Sequence, residues 1–131
     1  MRLLLDTHII LWAIVEDPRL PQRARELIED EDNQIVVSAA SIWEISVKYA
    51  LGRKGPNAMP ISGPQALAHI RKAEYDLLDV TGDHAVAVQD LPRLHADPFD
   101  RMIVAQAFVE PLRLITHDET VARYSSTIIL V

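Results

Sequence analysis

The chain has 131 residues, no cysteine and a formal net charge of -6 at pH 7. A chain of this length is expected to form one domain over residues 1–131 and to bury roughly two thirds of its unfolded surface. The lack of cysteine excludes disulfides and thiolate metal sites, and the acidic balance argues against non-specific adhesion to nucleic acid or anionic membranes. No run reaches the roughly 18 apolar residues of a membrane span, so we expect a soluble, cytoplasmic protein.

Short apolar runs alternate with helical patterns along the chain. In chain order, the predicted elements are strand Leu3–Leu5, helix Ile9–Val15, helix Pro21–Asp30, strand Ile35–Val37, a helix from Ser38 or Ser41 to Gly52, helix Pro64–Tyr75, strand Leu77–Val80, helix His84–Gln89, helix Pro98–Val109, strand Leu112–Thr116, helix Glu119–Tyr124 and strand Thr127–Val131. Gly52–Pro64 is expected to be a long surface loop. The alternation favours an α/β sandwich on a parallel sheet of about five strands flanked by helices.

The segment HADPFDRMIVAQA, residues 95–107, places two carboxylates three residues apart at a predicted helix start. Asp97 before Pro98 suits an N-cap followed by a first-turn proline. Asp100 shares a helical face with Ile103 and other apolar residues, so its side chain is directed at the protein interior. Complementing the helix dipole is the structural alternative for Asp100.

Other acidic residues follow the predicted strands. Asp6 comes directly after the first strand, Asp118 lies two residues beyond the fourth, and Glu44 lies in the first turns of the helix after the second. Because ligands of parallel sheets bind outside the carboxyl ends of the strands, acids from four segments can converge on one crevice. Each acid also has a structural reading, since Asp6 can end a strand, Glu44 can pair with Lys48, and Asp118 can cap a helix. The shared edge favours the functional reading.

A cluster of carboxylates is costly unless protons or cations neutralise it. Without cysteine or paired histidines at zinc spacing, the oxygen donors favour Mg²⁺ or Mn²⁺ over Zn²⁺. Such ions can lower the pKa of a bound water and neutralise charge on a phosphodiester. The residues therefore indicate metal-dependent hydrolysis of phosphodiester bonds.

Four segments are distinctive in combination: LLLDTHIILW at the start, VVSAASIWEISVKYALGR, HADPFDRMIVAQA, and LITHD near the end. In this order and over nearly the whole chain, they resemble the PIN domain, specifically the VapC-like toxins of bacterial type II toxin–antitoxin pairs. The resemblance implies a PIN-like three-layer sandwich with strand order 3-2-1-4-5 and a ribonuclease that depends on Mg²⁺ or Mn²⁺. It also implies a homodimer that a cognate antitoxin protein inhibits.

The resemblance assigns roles to individual residues. The residues that match the family's catalytic and metal-binding acidic quartet are Asp6, Glu44, Asp100 and Asp118. Asp97 matches an accessory acid or only a cap, and Thr116 matches the hydroxyl residue before the last acid. The chain departs from the family pattern at Glu110-Pro111-Leu112, where relatives often carry a glycine turn, and this departure leaves the acids untouched.

Several basic residues near the acids are candidates for contact with RNA. Arg101 is expected to form an ion pair with a neighbouring acid, with substrate phosphate as the alternative partner. A basic strip formed by Lys48, Arg53 and Lys54 could steer RNA, although a solvated helix end is the more common meaning of such a strip.

Four aromatic side chains have similar alternatives. His8 and His117 flank the predicted pocket, where a solvent-facing or packed histidine is more common than one that contacts RNA. Trp12 and Trp43 are expected in the core or a dimer interface, with base stacking as the minority reading.

Two other functions stay open from the residues alone. A small phosphate-ester hydrolase with an aspartate nucleophile also starts with a strand that ends in Asp, but its usual second aspartate would fall at His8. The other alternative is a catalytically silent module that uses its acidic pocket only to bind a partner protein.

Overall fold

The computed structural model describes all 131 residues, which form alternating strands and helices joined by loops. In chain order, the elements are β1 (Arg2–Leu5), α1 (Thr7–Ile14), α2 (Gln22–Glu29), β2 (Gln34–Ser38), α3 (Ala39–Ala50), α4 (Gly63–Lys72), β3 (Asp76–Leu78), α5 (Gly82–Ala87), α6 (Pro98–Val109), β4 (Arg113–Thr116), α7 (Glu119–Ala122) and β5 (Ile129–Leu130). Short 3₁₀ turns cover Gly55–Asn57 and Val88–Asp90. No helix has the length and apolar character needed to cross a lipid bilayer.

The five strands form one parallel sheet in the order β3-β2-β1-β4-β5. Leu4 of the central strand β1 pairs with Val36 of β2 on one side and with Leu114 of β4 on the other. The predicted α/β class and the 3-2-1-4-5 order are therefore confirmed. Since all strands run the same way, the residues that follow β1, β2 and β4 meet at one edge of the sheet.

Helices cover both faces of the sheet. Leu3 and Leu5 pack in a cluster with Ile9 and Ile10 of α1, whereas Leu4 packs in a second cluster with Val104 of α6. This division follows from the pleat, because successive strand side chains point to opposite faces. Both faces of β1 are buried, which explains its uninterrupted run of leucine.

Local chemistry sets the ends of the helices. Ser38 caps α3 by accepting a hydrogen bond from the Ala40 backbone N–H, which decides between the two predicted caps. The predicted loop ends earlier than expected, because Ser62 and Gln65 form a capping box and α4 begins at Gly63. A Cβ added to Gly63 would lie 2.1 Å from Ser46 Oγ of α3, so glycine permits this close helix approach.

Candidate active site

Asp6 lies where β1 ends and α1 begins, and its carboxylate is buried. Its Oδ1 accepts a hydrogen bond from the Thr7 backbone N–H at 2.7 Å, and its Oδ2 accepts one from Thr116 Oγ1 at 2.6 Å. Burial raises the pKa of Asp6, while the hydrogen bond from Thr116 lowers it. Both oxygens are thus held at the edge of the sheet.

Thr116 connects two of the acids. Besides donating to Asp6, its hydroxyl accepts a hydrogen bond from the Asp118 backbone N–H at 3.0 Å. Asp118 Oδ1 accepts from the backbone N–H groups of Thr120 and Val121, at 2.7 and 3.3 Å, and so caps α7. The structural reading of Asp118 as a cap is confirmed, and its second oxygen is not used in that cap.

Replacing Thr116 tests this connection. We expect Thr116→Val to destabilise the fold by about 1–3 kcal/mol, because the buried Asp6 carboxylate loses a donor, whereas Thr116→Ser keeps the hydroxyl and most of the stability. Urea denaturation of both variants measures the difference. Thr127→Val, at an exposed position, is the matched control and should change stability by less than about 0.5 kcal/mol. A Thr116→Val protein as stable as wild type would contradict the role of this hydroxyl.

Glu44 of α3 is 3% exposed and has one satisfied and one unsatisfied oxygen. Lys48 Nζ lies 2.5 Å from Oε2, which confirms the ion pair expected between residues four apart on a helix. Oε1 is buried and has no hydrogen-bond partner. A buried carboxylate oxygen without a donor is costly, so this atom is available to a cation or a donor from outside the chain.

Asp97 and Asp100 open α6. Asp97 Oδ1 accepts hydrogen bonds from the backbone N–H groups of Phe99 and Asp100, at 2.9 and 3.1 Å, which confirms the predicted cap. The Asp100 side chain is 18% exposed, and its pKa is raised to about 8, with burial as the largest cause. The negative charges of four other acids add to this rise in pKa; in order of effect they are Asp6, Asp97, Glu44 and Asp118.

The other four predicted acids are therefore close enough to interact electrostatically with Asp100. No three carboxylate or imidazole groups, however, are close enough together to form a complete metal site. The acids supply only oxygen donors, and one of these, Glu44 Oε1, is buried and has no hydrogen-bond partner. This donor set fits a hard divalent cation that keeps part of its water shell, as Mg²⁺ does.

Arg101 corrects a prediction, because it forms no ion pair. Its Nη1 donates to the Pro92 carbonyl and to Tyr124 Oη, and its Nη2 donates to the Val88 and Leu91 carbonyls. The guanidinium is turned toward backbone carbonyls of the segment before α6, which take the place of a carboxylate as acceptors. If Arg101 is to contact substrate phosphate, which was the alternative prediction, the phosphate has to replace acceptors of these four hydrogen bonds.

Two clefts border the acids. One, with a volume of about 250 Å³, is lined by Glu44 and by Trp12, Lys48 and Arg53 among others. The second, of about 290 Å³, is lined by Asp6, His8, Trp12, His117 and Asp118. His8 and His117 thus flank the acids as predicted, with ring centroids 5.9 and 5.6 Å from that of Trp12.

Trp43 does not lie in the core, which was the first of the two locations predicted for it. Its side chain is 56% exposed on α3, and its ring packs edge-on against Phe99 at a centroid distance of 4.7 Å. Val47 and Leu51 are also exposed, one and two helical turns further along. The apolar residues of this stripe lie on the outside of the fold, which helical periodicity alone could not distinguish from an inward face.

His95 is the residue near the acids that sequence reasoning missed. Its Nε2 lies 3.3 Å from Asp100 Oδ2. The available signal was its place in the motif, five residues before Asp100. The side-chain orientation of a loop histidine cannot be predicted from helical or strand periodicity.

Comparison with known proteins identifies the family. A family model described as PIN domain matches residues 3–126 of the chain. The chain belongs to the PIN-domain family. Ribonuclease VapC22 from Mycobacterium tuberculosis (strain ATCC 25618 / H37Rv) is 34% identical to this PIN domain over 118 residues, which cover 88% of this chain and 85% of the relative.

Solved structures share the fold of this PIN domain at low sequence identity. VapBC2 from Rickettsia felis, bound to a DNA fragment from its promoter, matches with a TM-score of 0.66 and 18% identity over 100% of this chain and 98% of that one. VapBC-1 from nontypeable Haemophilus influenzae matches with a TM-score of 0.64 and 19% identity over 100% and 97%. The PIN-like fold that the sequence motifs implied is therefore confirmed.

Proposed function

We propose that this PIN domain is a metal-dependent endoribonuclease that hydrolyses RNA phosphodiester bonds, and that it is the toxin of a toxin–antitoxin pair. The observation that carries the proposal is the convergence of acids from four chain segments around Asp100, whose pKa is raised to about 8 by burial first and then by the charges of these acids. Such a concentration of negative charge is stabilised by divalent cations, the cofactor of phosphodiester hydrolysis. Ribonuclease VapC22, to which this PIN domain is similar, is a ribonuclease by name.

Asp6, Glu44, Asp100 and Asp118 are the residues proposed to hold Mg²⁺ or Mn²⁺, with Asp97 as an accessory acid. When bound, the cation supplies charge neutralisation at the phosphate and a water of lowered pKa. The protein contributes orientation: Thr116 holds the Asp6 carboxylate, and the Asp97 cap fixes the start of the helix that carries Asp100. Lys48, which now pairs with Glu44, is a proposed contact for substrate phosphate.

Two protein partners belong to the proposal. The similar solved structures are VapB–VapC assemblies, which supports a cognate antitoxin as partner. A second copy of the chain is the other proposed partner, and the exposed apolar stripe of Trp43, Val47 and Leu51 supports a protein contact on α3.

A cleavage assay with purified protein freed of any partner tests the activity. The substrate is a mixed pool of structured and single-stranded RNAs that includes transfer RNAs, with Mg²⁺ or Mn²⁺ added. We expect cleavage by wild type, its loss on addition of EDTA, and a loss of about a hundredfold or more in Glu44→Gln, since a metal-held charge supplies several kcal/mol.

The same assay distinguishes the alternatives. Glu44→Gln, purified identically, exposes contaminating nuclease, and equal cleavage by both proteins would contradict the proposal. Hydrolysis of p-nitrophenyl phosphate without RNA cleavage would favour the small phosphate-ester hydrolase. If neither substrate is cut at several metal concentrations, the partner-binding module becomes the better explanation.

A further inference from the structure

Three side chains behind Asp100 form a continuous line of hydrogen bonds. Arg101 Nη1 lies 3.0 Å from Tyr124 Oη, Tyr124 Oη lies 2.7 Å from His95 Nδ1, and His95 Nε2 lies 3.3 Å from Asp100 Oδ2. We call this line the Arg101 relay. It joins α6 to the turn after α7 and to the loop before α6.

The direction of the Arg101 relay follows from the chemistry of its first member. A guanidinium donates hydrogen bonds and accepts none, so the Tyr124 oxygen accepts from Arg101. The hydroxyl has one hydrogen of its own, and His95 Nδ1 is the acceptor within reach. Donation to Nδ1 gives this hydrogen an acceptor, and the arrangement that uses every donor of the line therefore has Nδ1 unprotonated and the ring hydrogen on Nε2, facing Asp100 Oδ2.

Hydrogen bonds and packing fix the positions of the side chains in the Arg101 relay. The Arg101 guanidinium also donates to the backbone carbonyls of Val88, Leu91 and Pro92, so its position is fixed by four acceptors in total. Tyr124 is buried, and its ring lies 5.4 Å from the imidazole of His95. The His95 ring can therefore neither rotate freely nor exchange its two nitrogens without breaking the bond to Tyr124.

We propose that His95 is a positioning residue that holds Asp100 Oδ2 by donating a hydrogen bond from Nε2, and that the Arg101 relay sets its tautomer. This inference rests on the proposed function, in which Asp100 is a metal ligand. Because the hydrogen bond from His95 already orients the Asp100 carboxylate, that side chain loses less rotational freedom when a cation binds. Hydrogen-bond partners of metal ligands commonly act in this way. Arg101 thus acts on the site indirectly, through Tyr124 and His95, rather than as a contact for substrate.

The tautomer is tested first, without metal or RNA. Nitrogen-15 NMR of the imidazole rings in the intact chain should show His95 protonated at Nε2 and unprotonated at Nδ1 near neutral pH. In Tyr124→Phe this preference should weaken, because the phenyl ring keeps the packing but offers no hydroxyl. A hydrogen on Nδ1 of His95 in wild type would overturn the relay.

Metal affinity is tested next, by isothermal titration with Mn²⁺. We expect His95→Leu to bind Mn²⁺ about 10- to 100-fold more weakly than wild type. His95→Gln, whose amide nitrogen can replace Nε2 as donor to Asp100, should recover most of the affinity. His69→Leu, on the exposed face of α4, is the matched control and should bind as wild type does. Thermal melts in EDTA verify that each variant is folded.

The outcomes separate this inference from the proposed function. If His95→Leu weakens Mn²⁺ binding, His95→Gln restores it and wild type cuts no RNA, the positioning role stands and the ribonuclease proposal fails. If wild type cuts RNA but His95→Leu binds Mn²⁺ as tightly as wild type, the ribonuclease proposal stands and the positioning role is overturned. A wild-type protein that does not bind Mn²⁺ overturns the positioning role as well.

Discussion

Asp100→Asn is expected to lose RNA cleavage by about a hundredfold or more and, in the absence of metal, to be more stable than wild type. Activity falls because the amide cannot supply the negative charge that a divalent cation requires. Stability rises because burial and, after it, the charges of other acids disfavour the carboxylate and raise its pKa from 3.8 to about 8. A gain in stability combined with a loss of activity is typical of a residue kept for function.

The sign of the pH dependence follows from the proton balance. Between pH 3.8 and about 8, the folded protein keeps a proton on Asp100 that the unfolded chain has released. The free energy of unfolding of the metal-free wild type therefore falls as pH rises through this range. The stability associated with Asp100 is fully present only below its unfolded pKa of 3.8. At about 1.4 kcal/mol for each pKa unit, the effect is on the order of a few kcal/mol at neutral pH.

Thermal melts in EDTA between pH 5 and 8.5 measure this effect. The melting temperature of wild type should fall more steeply with pH than that of Asp100→Asn, and the variant should be the more stable protein at pH 7. Asp32→Asn, an exposed acid outside the cluster, is the control and should leave the slope of wild type unchanged. A less stable Asp100→Asn at pH 8 would contradict the crowding of charge around this carboxyl.

Gln106→Leu is expected to destabilise the fold by about 2–4 kcal/mol. Gln106 is fully buried in α6, where its Oε1 accepts a hydrogen bond from Ser38 Oγ at 2.5 Å. Its Nε2 donates to the Asp79 carbonyl and to His84 Nδ1, both at 3.3 Å. Leucine has a similar size but leaves the buried Ser38 hydroxyl without its acceptor and removes one of the two donors to the buried His84 Nδ1, and a lost buried hydrogen bond costs about 1–3 kcal/mol.

Urea denaturation of Gln106→Leu measures the loss. Gln89→Leu, at an exposed position, is the control and should change stability by less than about 0.5 kcal/mol. The buried bond also connects two parts of the candidate site, because Ser38 caps α3, which carries Glu44, while Gln106 is on α6 with Asp100. An unchanged midpoint in Gln106→Leu would contradict the importance of this bond for the fold.

Features that depend on neighbours in sequence could be predicted from the sequence. The bounds of α6, Pro98–Val109, agree with the prediction, because an N-cap, a first-turn proline and an apolar face all act within this segment. The apolar run in β1 likewise predicted a strand, and the resemblance of the motifs predicted the fold. The convergence of the acids at one edge followed from their positions after parallel strands.

Features that depend on distant partners could not be predicted in this way. Asp6 and Thr116 are 110 residues apart in sequence, and His95 and Tyr124 are 29 apart, yet each pair is in direct contact. Arg101 was expected to bind an acid because its neighbours in sequence are acidic, but packing directs it to backbone carbonyls.

The sequence by itself therefore determined which segments become strands and helices and which carboxylates gather at one edge, because these depend on short-range patterns and on the uniform direction of parallel strands. The strand order was implied only by the resemblance of the motifs to the PIN domain. Only the tertiary structure decided which hydrogen-bond donor meets each carboxylate and which apolar helix face stays exposed. The physical reason is that a polar side chain binds whatever partner the packing of remote segments brings within about 3 Å.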